Sequence, residues 1–488
     1  MIKGHPKGLI VLFGAEMFER LCYYGMRGLL ILYLTKALFQ GDVEAMGIYG
    51  AYTALVFAAP VLGGKLADTV LGYRRAVIFG GIVMAAGEFM ILGGTEFWLF
   101  IGMSAIIVGN GFFKANISTI VGKLYKDGDP MRDSGFTIFY MGINIGALLA
   151  TVAIAPIGEV YGFKWGFGLA GIGMLLGVAI FIMGQGKLEG HGQAPDPEML
   201  RKWQIPVYVG SLLAIPGLYA LINYGRDIII LGQDLLFYIL IGLLLFVSFN
   251  LLRAGFKGGK VARDRIIVLM ILMTFNVVFW ACFEQAGSSL TLFADRNVDR
   301  NVFDIYEMPA SQTQFFNPLF IILFGSIFSV MWVRLSAIGK NPNIPMKFGL
   351  GIIQLGMGYL LLLVGAALAG PEALVPLFVL GLMYLLHTTG ELFLSPIGLS
   401  MVTKLAPKHM TGSAMGAWFL SFAFSMYVAA ALAKLTGSEG GAAVDLTPAE
   451  GLAQYVGMYG KMGWVTVGIG VALVLLSKPL NKLMHGVE

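Results

Sequence analysis

The chain has 488 residues, of which 57% are hydrophobic and only 12% are charged, and its mean hydropathy is +0.80. A soluble globular domain carries about twice that charged fraction, so the composition excludes a soluble enzyme or binding module. The formal net charge of +5 says little by itself, and no nucleic-acid partner is expected. Apolar segments of about 20 residues recur along the chain, and each is long enough to cross a bilayer.

Hydropathy predicts an all-α polytopic membrane protein with about fourteen spans. The first six spans have approximate cores at 9–37, 46–70, 75–93, 97–122, 133–158 and 164–184. A polar linker and a middle pair of spans follow, near 185–203, 205–224 and 230–252. The last six spans lie near 265–292, 312–336, 347–369, 372–404, 410–436 and 452–477.

Without the middle pair, the spans form two sets of six, which is the layout of a major facilitator transporter. The predicted boundaries are 1–186 for an N-terminal six-helix bundle, 187–261 for the linker and two extra helices, and 262–488 for a C-terminal six-helix bundle. Most of the 33 Lys and Arg residues fall in segments that lie on the same side of the membrane as the N-terminus. The chain is therefore predicted to be a multi-pass protein of the plasma membrane, with both termini cytoplasmic.

The first span contains four charged residues inside an apolar segment. A charged side chain at mid-bilayer costs a few kcal/mol, so such residues usually face a polar interior and mark a transport pathway. At 100° per residue, four side chains fall within about 60° of one another around the helix axis and form a polar stripe on one face: Glu16, Arg20, Tyr23 and Arg27. This stripe predicts the core of a transporter.

The loop between spans 2 and 3 runs from Gly63 to Arg75 and contains paired glycines, an acid and two arginines. It resembles the loop motif of the major facilitator superfamily, in which an acid at a helix end meets bases across a tight turn. Asp68 and Arg74 would then form a cytoplasmic latch that breaks as the halves rock. The alternative is a solvated loop that obeys the positive-inside rule.

The other intramembrane charges are Lys114 in span 4, Glu284 in span 7 and Glu391 in span 10. With the charges of span 1, three bases face four acids, and a carboxyl without a cationic partner in a low-dielectric cavity takes up a proton easily. The N-terminal half supplies a positive wall and the C-terminal half a negative one. This polarity fits a small zwitterion such as a short peptide, whereas structural ion pairs are the alternative.

Five motifs in order resemble the proton-dependent oligopeptide transporter (POT or PTR) family, bacterial type, of the major facilitator superfamily. The first is Glu16-x-x-Glu19-Arg20 followed by Tyr23-Tyr24-Gly25, and the others are the segments 109–114, 136–146, 279–285 and 390–396. The resemblance covers nearly the whole chain. It implies proton-coupled uptake of di- and tripeptides by alternating access, driven by the proton gradient without a cofactor, in a lipid bilayer and as a monomer.

The resemblance also implies roles for individual residues. Proton coupling would involve Glu16, Glu19, Arg20 and Glu284. Two gate pairs would be Arg27 with Glu284 outside and Lys114 with Glu391 inside. Glu391 would hold the peptide amino group, and Arg27 and Lys114 would attract its carboxylate. The pocket would be lined by Tyr23, Tyr24, Asn144, Trp280, Asn317 and Trp418.

Two pocket positions depart from the family pattern. Phe57 stands where many members have a tyrosine, and His387 stands one turn before Glu391, where related transporters often have serine. His387 would either titrate as a second proton site or donate a hydrogen bond to Glu391. Both departures leave the substrate range open.

Two other functions compete with peptide uptake. A relative could carry another small anion or zwitterion, such as nitrate or an amino-acid conjugate, although Glu391 would repel an anion. A membrane-embedded enzyme would need a reactive centre, and His387 with Glu391 supplies only two possible metal ligands. Because a metal site needs at least a third ligand, the sequence predicts neither a metal site nor an enzyme.

Overall fold

The structure, a computed structural model, describes residues 4–126, 129, 131–407, 410–437 and 446–487. Within these residues the chain is dominated by helices, as predicted. Twelve of the described helices are long and apolar enough to span a membrane. Two further long helices, Gly8–Leu32 and Tyr73–Ile91, contain three or more charged residues each, which explains why composition alone does not select them.

The chain divides into two compact units. The first comprises Met1–Phe39 and Ala51–Leu236, and the second comprises Gln40–Gly50 and Phe237–Glu488. The helices of the first unit are α1 (Gly8–Leu32), α2 (Asp42–Leu66, from Ala51 onward), α3 (Tyr73–Ile91), α4 (Glu96–Lys123), α5 (Arg132–Leu149), α6 (Ala155–Tyr161), α7 (Phe163–Gly184) and α8 (Pro197–Asn223). Five-residue π-helical segments follow α1, α2 and α5, at Tyr33–Ala37, Ala67–Leu71 and Ala150–Ile154.

The second unit contains the first nine residues of α2 and eight further helices. These are α9 (Leu235–Lys257, from Phe237 onward), α10 (Lys260–Phe283), α11 (Ser289–Asn297), α12 (Phe316–Ala337), α13 (Ile344–Leu368), α14 (Leu377–Leu405), α15 (Thr411–Lys434) and α16 (Pro448–Leu483). Short strands pair in the loops: β1 (Ile229–Ile230) with β2 (Gln233–Asp234) in the first unit, and in the second β3 (Val298–Asp299) with β6 (Val375–Pro376) and β4 (Asn301–Val302) with β5 (Tyr306–Glu307). The sequence did not predict these strands.

The structure divides the middle pair of helices, which the sequence assigned to a separate segment at 187–261. Helix α8 belongs to the first unit, where Tyr208 stacks on Phe79 of α3 with ring centroids 4.6 Å apart. Helix α9 belongs to the second unit, where Phe237 contacts the rings of Phe424 and Tyr427 on α15. The division follows from packing, since each helix covers an apolar surface of its own unit.

The linker before α8 is fixed to the turn between α2 and α3. Arg74 donates from its backbone N–H to the carbonyl of Gly192 (2.9 Å) and from Nε to the carbonyl of His191 (2.6 Å). Gly72 has φ +72°, and a Cβ added there would lie 2.5 Å from the backbone nitrogen of Ala194. Only glycine allows this backbone conformation together with so close an approach.

The predicted span at 265–292 is broken into α10 and α11 by a 3-10 turn at Glu284–Gly287. Polar side chains satisfy the backbone carbonyls near the break, because lipid offers them no hydrogen bonds. Gln285 Nε2 donates to the carbonyl of Ala281 (3.0 Å), and Thr291 Oγ1 donates to that of Ala286 (2.7 Å). Glu284 is therefore placed at an interruption of a membrane helix.

Glycines bring α13 close to α14. A Cβ added at Gly390 would lie 2.7 Å from the carbonyl oxygen of Gly351, and one added at Gly351 would lie 2.7 Å from that of Gly390. Helix association in lipid depends on close packing, so small residues at such crossings set the distance between backbones. Gly390 precedes Glu391, and this crossing therefore fixes the position of that carboxyl.

Candidate functional site

A buried network of charges lies between α1 and α4 of the first unit. Glu16 and Glu19 are fully buried, and the Arg20 guanidinium donates to both carboxylate oxygens of Glu19 through Nε and Nη2. Arg20 Nε also lies 3.4 Å from Glu16 Oε1. Lys114 Nζ lies 3.5 Å from the same Glu16 oxygen. Two acids and two bases thus compensate one another, and Glu16 is shared by both bases.

Asn110 is a member of this network that the sequence did not single out. Its Nδ2 donates to Glu19 Oε1 at 3.2 Å, and its side chain is buried. Asn110 precedes Lys114 by one helical turn, so both side chains lie on the same face of α4. That spacing could have revealed the residue, but an uncharged amide gives no signal in a search for intramembrane charges.

Aromatic rings lie beside the arginines of α1. The guanidinium carbon of Arg20 is 5.1 Å from the ring centroid of Tyr23, and that of Arg27 is 5.6 Å from the ring centroid of Tyr24. Such cation–π contacts favour a positive charge in a desolvated site. The predicted lining residue Asn144 is buried and donates to the carbonyl of Tyr140 in its own helix, at 3.0 Å. Phe57 is half-buried on α2.

In the second unit, Glu391 on α14 is bound by an amide. Asn317, near the start of α12, donates from Nδ2 to Glu391 Oε2 at 3.0 Å and to Thr388 Oγ1 at 3.1 Å. Glu391 is 7% exposed, and the charge of Glu284 acts on it electrostatically. The structure therefore brings the predicted residues Glu391 and Asn317 into contact, and it adds Thr388, which the sequence did not predict.

His387 is directed toward α13. Its ring centroid lies 4.7 Å from that of Tyr359, and a Cβ added at Gly358 would be 2.7 Å from His387 Nε2. Among the described residues, Nε2 has no hydrogen-bond partner, and the recorded donor to Glu391 is Asn317. The expected hydrogen bond from His387 to Glu391 is thus not formed here, because the absence of a side chain at Gly358 leaves room for the imidazole against α13.

The two predicted tryptophans lie in an aromatic cluster of the second unit. Trp280 Nε1 donates to Asn276 Oδ1 at 3.1 Å, and the Trp280 ring lies 5.0 Å from that of Phe422. Trp418 is buried, and its ring centroid lies 6.0 Å from that of Phe422. Packing therefore explains the burial of Trp418, while Trp280 is half-buried.

The loop between α2 and α3 differs from the expected latch. Asp68 accepts a hydrogen bond from Tyr73 Oη at 2.7 Å, and Lys123 Nζ lies 4.8 Å from the Tyr73 ring centroid. Arg74 instead binds the linker at His191 and Gly192, as described above. Within the described part of the chain, no ion pair joins Asp68 to Arg74, because the arginine is occupied by backbone carbonyls.

No cluster of three His, Cys, Asp or Glu side chains that could hold a metal ion occurs among the residues that the structure describes. The first site can exchange protons between carboxyls that share cations. The second site presents one carboxylate, which accepts a hydrogen bond from Asn317.

Comparison with known proteins gives consistent matches along the chain. A sequence model of a protein family, described as the POT family, matches residues 74–444. The chain is similar to the uncharacterized transporter YclF of Bacillus subtilis, with 35% identity over 99% of this chain and 96% of that protein. It is also 34% identical to the dipeptide and tripeptide permease A of Chromobacterium violaceum, over 98% of this chain and 94% of that one. A crystal structure of the peptide transporter POT in complex with sulfate superposes with a TM-score of 0.83 and 35% identity, covering 100% and 97% of the two chains.

Proposed function

The chain belongs to the POT family, and on that premise we propose that it takes up di- and tripeptides together with protons. It is a membrane-embedded transporter, since its relatives are permeases and its helices are long and apolar. Peptide uptake agrees with the permease similarity, and proton coupling is consistent with the family. We further propose that it acts as a monomer in the bacterial inner membrane, with both termini cytoplasmic.

The observation that carries this proposal is the buried charge network of the first unit. Glu16 is shared by Arg20 and Lys114, so a proton on this carboxyl removes the negative charge that both bases share. Lys114 is then free to bind another anion, such as a peptide carboxylate. Proton binding and substrate binding are coupled through one carboxyl in this way.

The remaining roles follow from charge. Arg27 and Lys114 supply positive charge for the peptide carboxylate, and Glu391 supplies negative charge for its ammonium group. Protonation of a carboxyl among Glu16, Glu19 and Glu284 frees Arg27 for the substrate and lets the outer gate close. The two gate pairs remain predictions. They are Arg27 with Glu284 on the outside and Lys114 with Glu391 on the inside. A purely anionic substrate such as nitrate is disfavoured, because it has no group for Glu391 to bind.

The test is uptake of labelled dialanine into proteoliposomes, with and without an inward proton gradient. We expect gradient-driven accumulation in the wild type and its loss in Glu19→Gln, while counterflow exchange survives. The matched control is Glu96→Gln, which changes an exposed carboxyl at the start of α4 and should accumulate dialanine normally. Absence of dialanine movement in the wild type under every gradient would contradict the peptide assignment.

A further inference from the structure

Lys347, in the first turn of α13, is a buried base outside both charged sites, with only 7% of its surface exposed. Among the described residues, its Nζ has no carboxylate within ion-pair distance and lies 4.4 Å from the ring centroid of Trp332 on α12. A buried charge is costly unless an opposite charge or hydrogen bonds compensate it. The face of an aromatic ring compensates only part of this cost, because the ring has no net charge. Lys347 therefore lacks a counter-ion within the part of the chain that the structure describes.

The position of this ammonium group is fixed by three helices of the second unit. The Trp332 ring lies edge-to-face against Phe393 of α14, with centroids 5.0 Å apart, and 6.3 Å from the ring of Phe328 in its own helix. Gly351, one turn after Lys347, brings α13 against α14, since a Cβ added there would lie 3.2 Å from the Cβ of Phe393. The lysine and the indole are thus held together by packing rather than by chance contact at a surface.

This pair lies at a lipid-facing end of the bundle. Only 6% of the apolar stretch of α12 is buried inside the protein, so most of this helix faces the hydrocarbon of the bilayer. Arg334 and Lys340 are exposed at the same end of α12, which the predicted topology places at the cytoplasmic surface. Tryptophan and basic residues at the end of a spanning helix lie at the depth of the phospholipid headgroups. The anion that meets Lys347 there is a lipid phosphate.

We propose that Lys347 and Trp332 form a binding site for the headgroup phosphate of an anionic phospholipid, whose acyl chains lie along α12. An ammonium group carries three N–H donors, and the phosphate oxygens supply both the acceptors and the missing negative charge. Basic pockets between spanning helices bind anionic headgroups in this way. A zwitterionic lipid is a poorer ligand, because its phosphate is already paired with its own cation. Inorganic phosphate offers the same oxygens but has no chains to cover α12.

The experiment is native mass spectrometry of the full chain in detergent, with equal amounts of added phosphatidylglycerol and phosphatidylcholine. We expect the wild type to retain phosphatidylglycerol about fivefold better than phosphatidylcholine, as for one lysine beside an anionic lipid. Lys347→Met, which keeps an unbranched side chain without the charge, should retain both lipids equally. Lys347→Arg, which keeps the charge, should restore the preference.

The matched control is Lys340→Met, which removes an exposed lysine from the loop between α12 and α13 and should keep the wild-type preference. Equal binding of both lipids by the wild type, an unchanged preference in Lys347→Met, or an equal loss in Lys340→Met would each overturn the proposal. Inorganic phosphate added with the lipids should leave the preference unchanged. If it abolishes the preference, the site binds free anions and not a lipid. Lys347→Gln takes the place of Lys347→Met if that variant does not fold.

Discussion

Asn110 is an uncharged residue that joins the buried charge network of α1 and α4. Its amide donates to Glu19 at 3.2 Å, and a hydrogen bond to a buried charged group contributes about 1.5–3 kcal/mol. Without this bond, Glu19 loses the donor from α4 that helps to hold its carboxylate beside Arg20. The charge network on which the proposed proton coupling rests is then less well ordered, so coupling should weaken.

We therefore expect Asn110→Ala to reduce proton-driven dialanine uptake about tenfold, while counterflow exchange stays within about twofold of the wild type. The measurement compares both modes in the same proteoliposomes. Asn116→Ala is the matched control, because Asn116 is also buried on α4 but donates to the carbonyl of Phe112 in its own helix, at 2.8 Å. Equal losses in the two variants would show that any buried amide of this helix matters equally.

Charge is the property that made most of the candidate residues visible in the sequence. A buried charge is costly, so Glu16, Arg20 and Lys114 stand out in apolar segments, and the structure places all three in one network. Asn110 and Thr388 carry no charge and lie among residues that pack helices. Their roles arise from contacts between helices that are distant in sequence, which local composition does not encode.

Helix positions followed directly from hydropathy, but interruptions within helices did not. Hydropathy predicts the segment 265–292 as one continuous span, yet it is broken at Glu284–Gly287. The break depends on partners elsewhere, such as Ala429, whose carbonyl accepts from Gln285 Nε2 at 2.8 Å. Likewise, Arg74 was expected beside Asp68, but linker carbonyls more than 100 residues away bind it.

The crossing of α13 and α14 gives a prediction at the scale of elements. We expect Gly390→Ala to destabilise the protein by about 1–3 kcal/mol, because the added methyl group meets the Gly351 carbonyl and forces the two backbones apart. The adjacent Glu391 moves with α14, so KM for dialanine should rise as well. Thermal unfolding in detergent and uptake kinetics measure the two effects.

Gly381→Ala is the matched control on the same helix. The nearest atoms to a Cβ added at Gly381 belong to the ring of Phe316, at 3.4 Å, and they leave far more room than the Gly351 carbonyl leaves at Gly390. This variant should unfold and transport as the wild type does. If Gly390→Ala were equally silent, the close approach of the two backbones would not be what positions Glu391.

At the scale of the whole molecule, the predicted all-α fold of about fourteen spans is confirmed by the helices and by the similarity to solved peptide transporters. Composition is enough to predict the fold class and the number of spans, because each span must be apolar on its own. The division into units was less accessible, since it depends on which surface α8 and α9 cover. Both helices are largely apolar, and local sequence does not show which neighbouring helix each one packs against.

Topology is the whole-molecule property that the distribution of Lys and Arg predicts. With both termini cytoplasmic, the hairpin of β1 and β2 lies outside and the linker before α8 lies inside. Leu231, at the tip of that hairpin, is 94% exposed, and Lys187 in the linker is also exposed. The two native cysteines, Cys22 and Cys282, are buried and give little background for thiol labelling.

We expect a membrane-impermeant maleimide to label Leu231→Cys on intact cells, because the predicted topology places this residue outside. Lys187→Cys should be labelled only after the membrane is opened, and the protein with its native cysteines alone should remain unlabelled in both conditions. The reverse pattern would place the termini outside and would invert the direction in which a proton gradient drives uptake. Labelling of both positions on intact cells would mean that the middle pair does not cross the bilayer, since only a span between them separates the two sites.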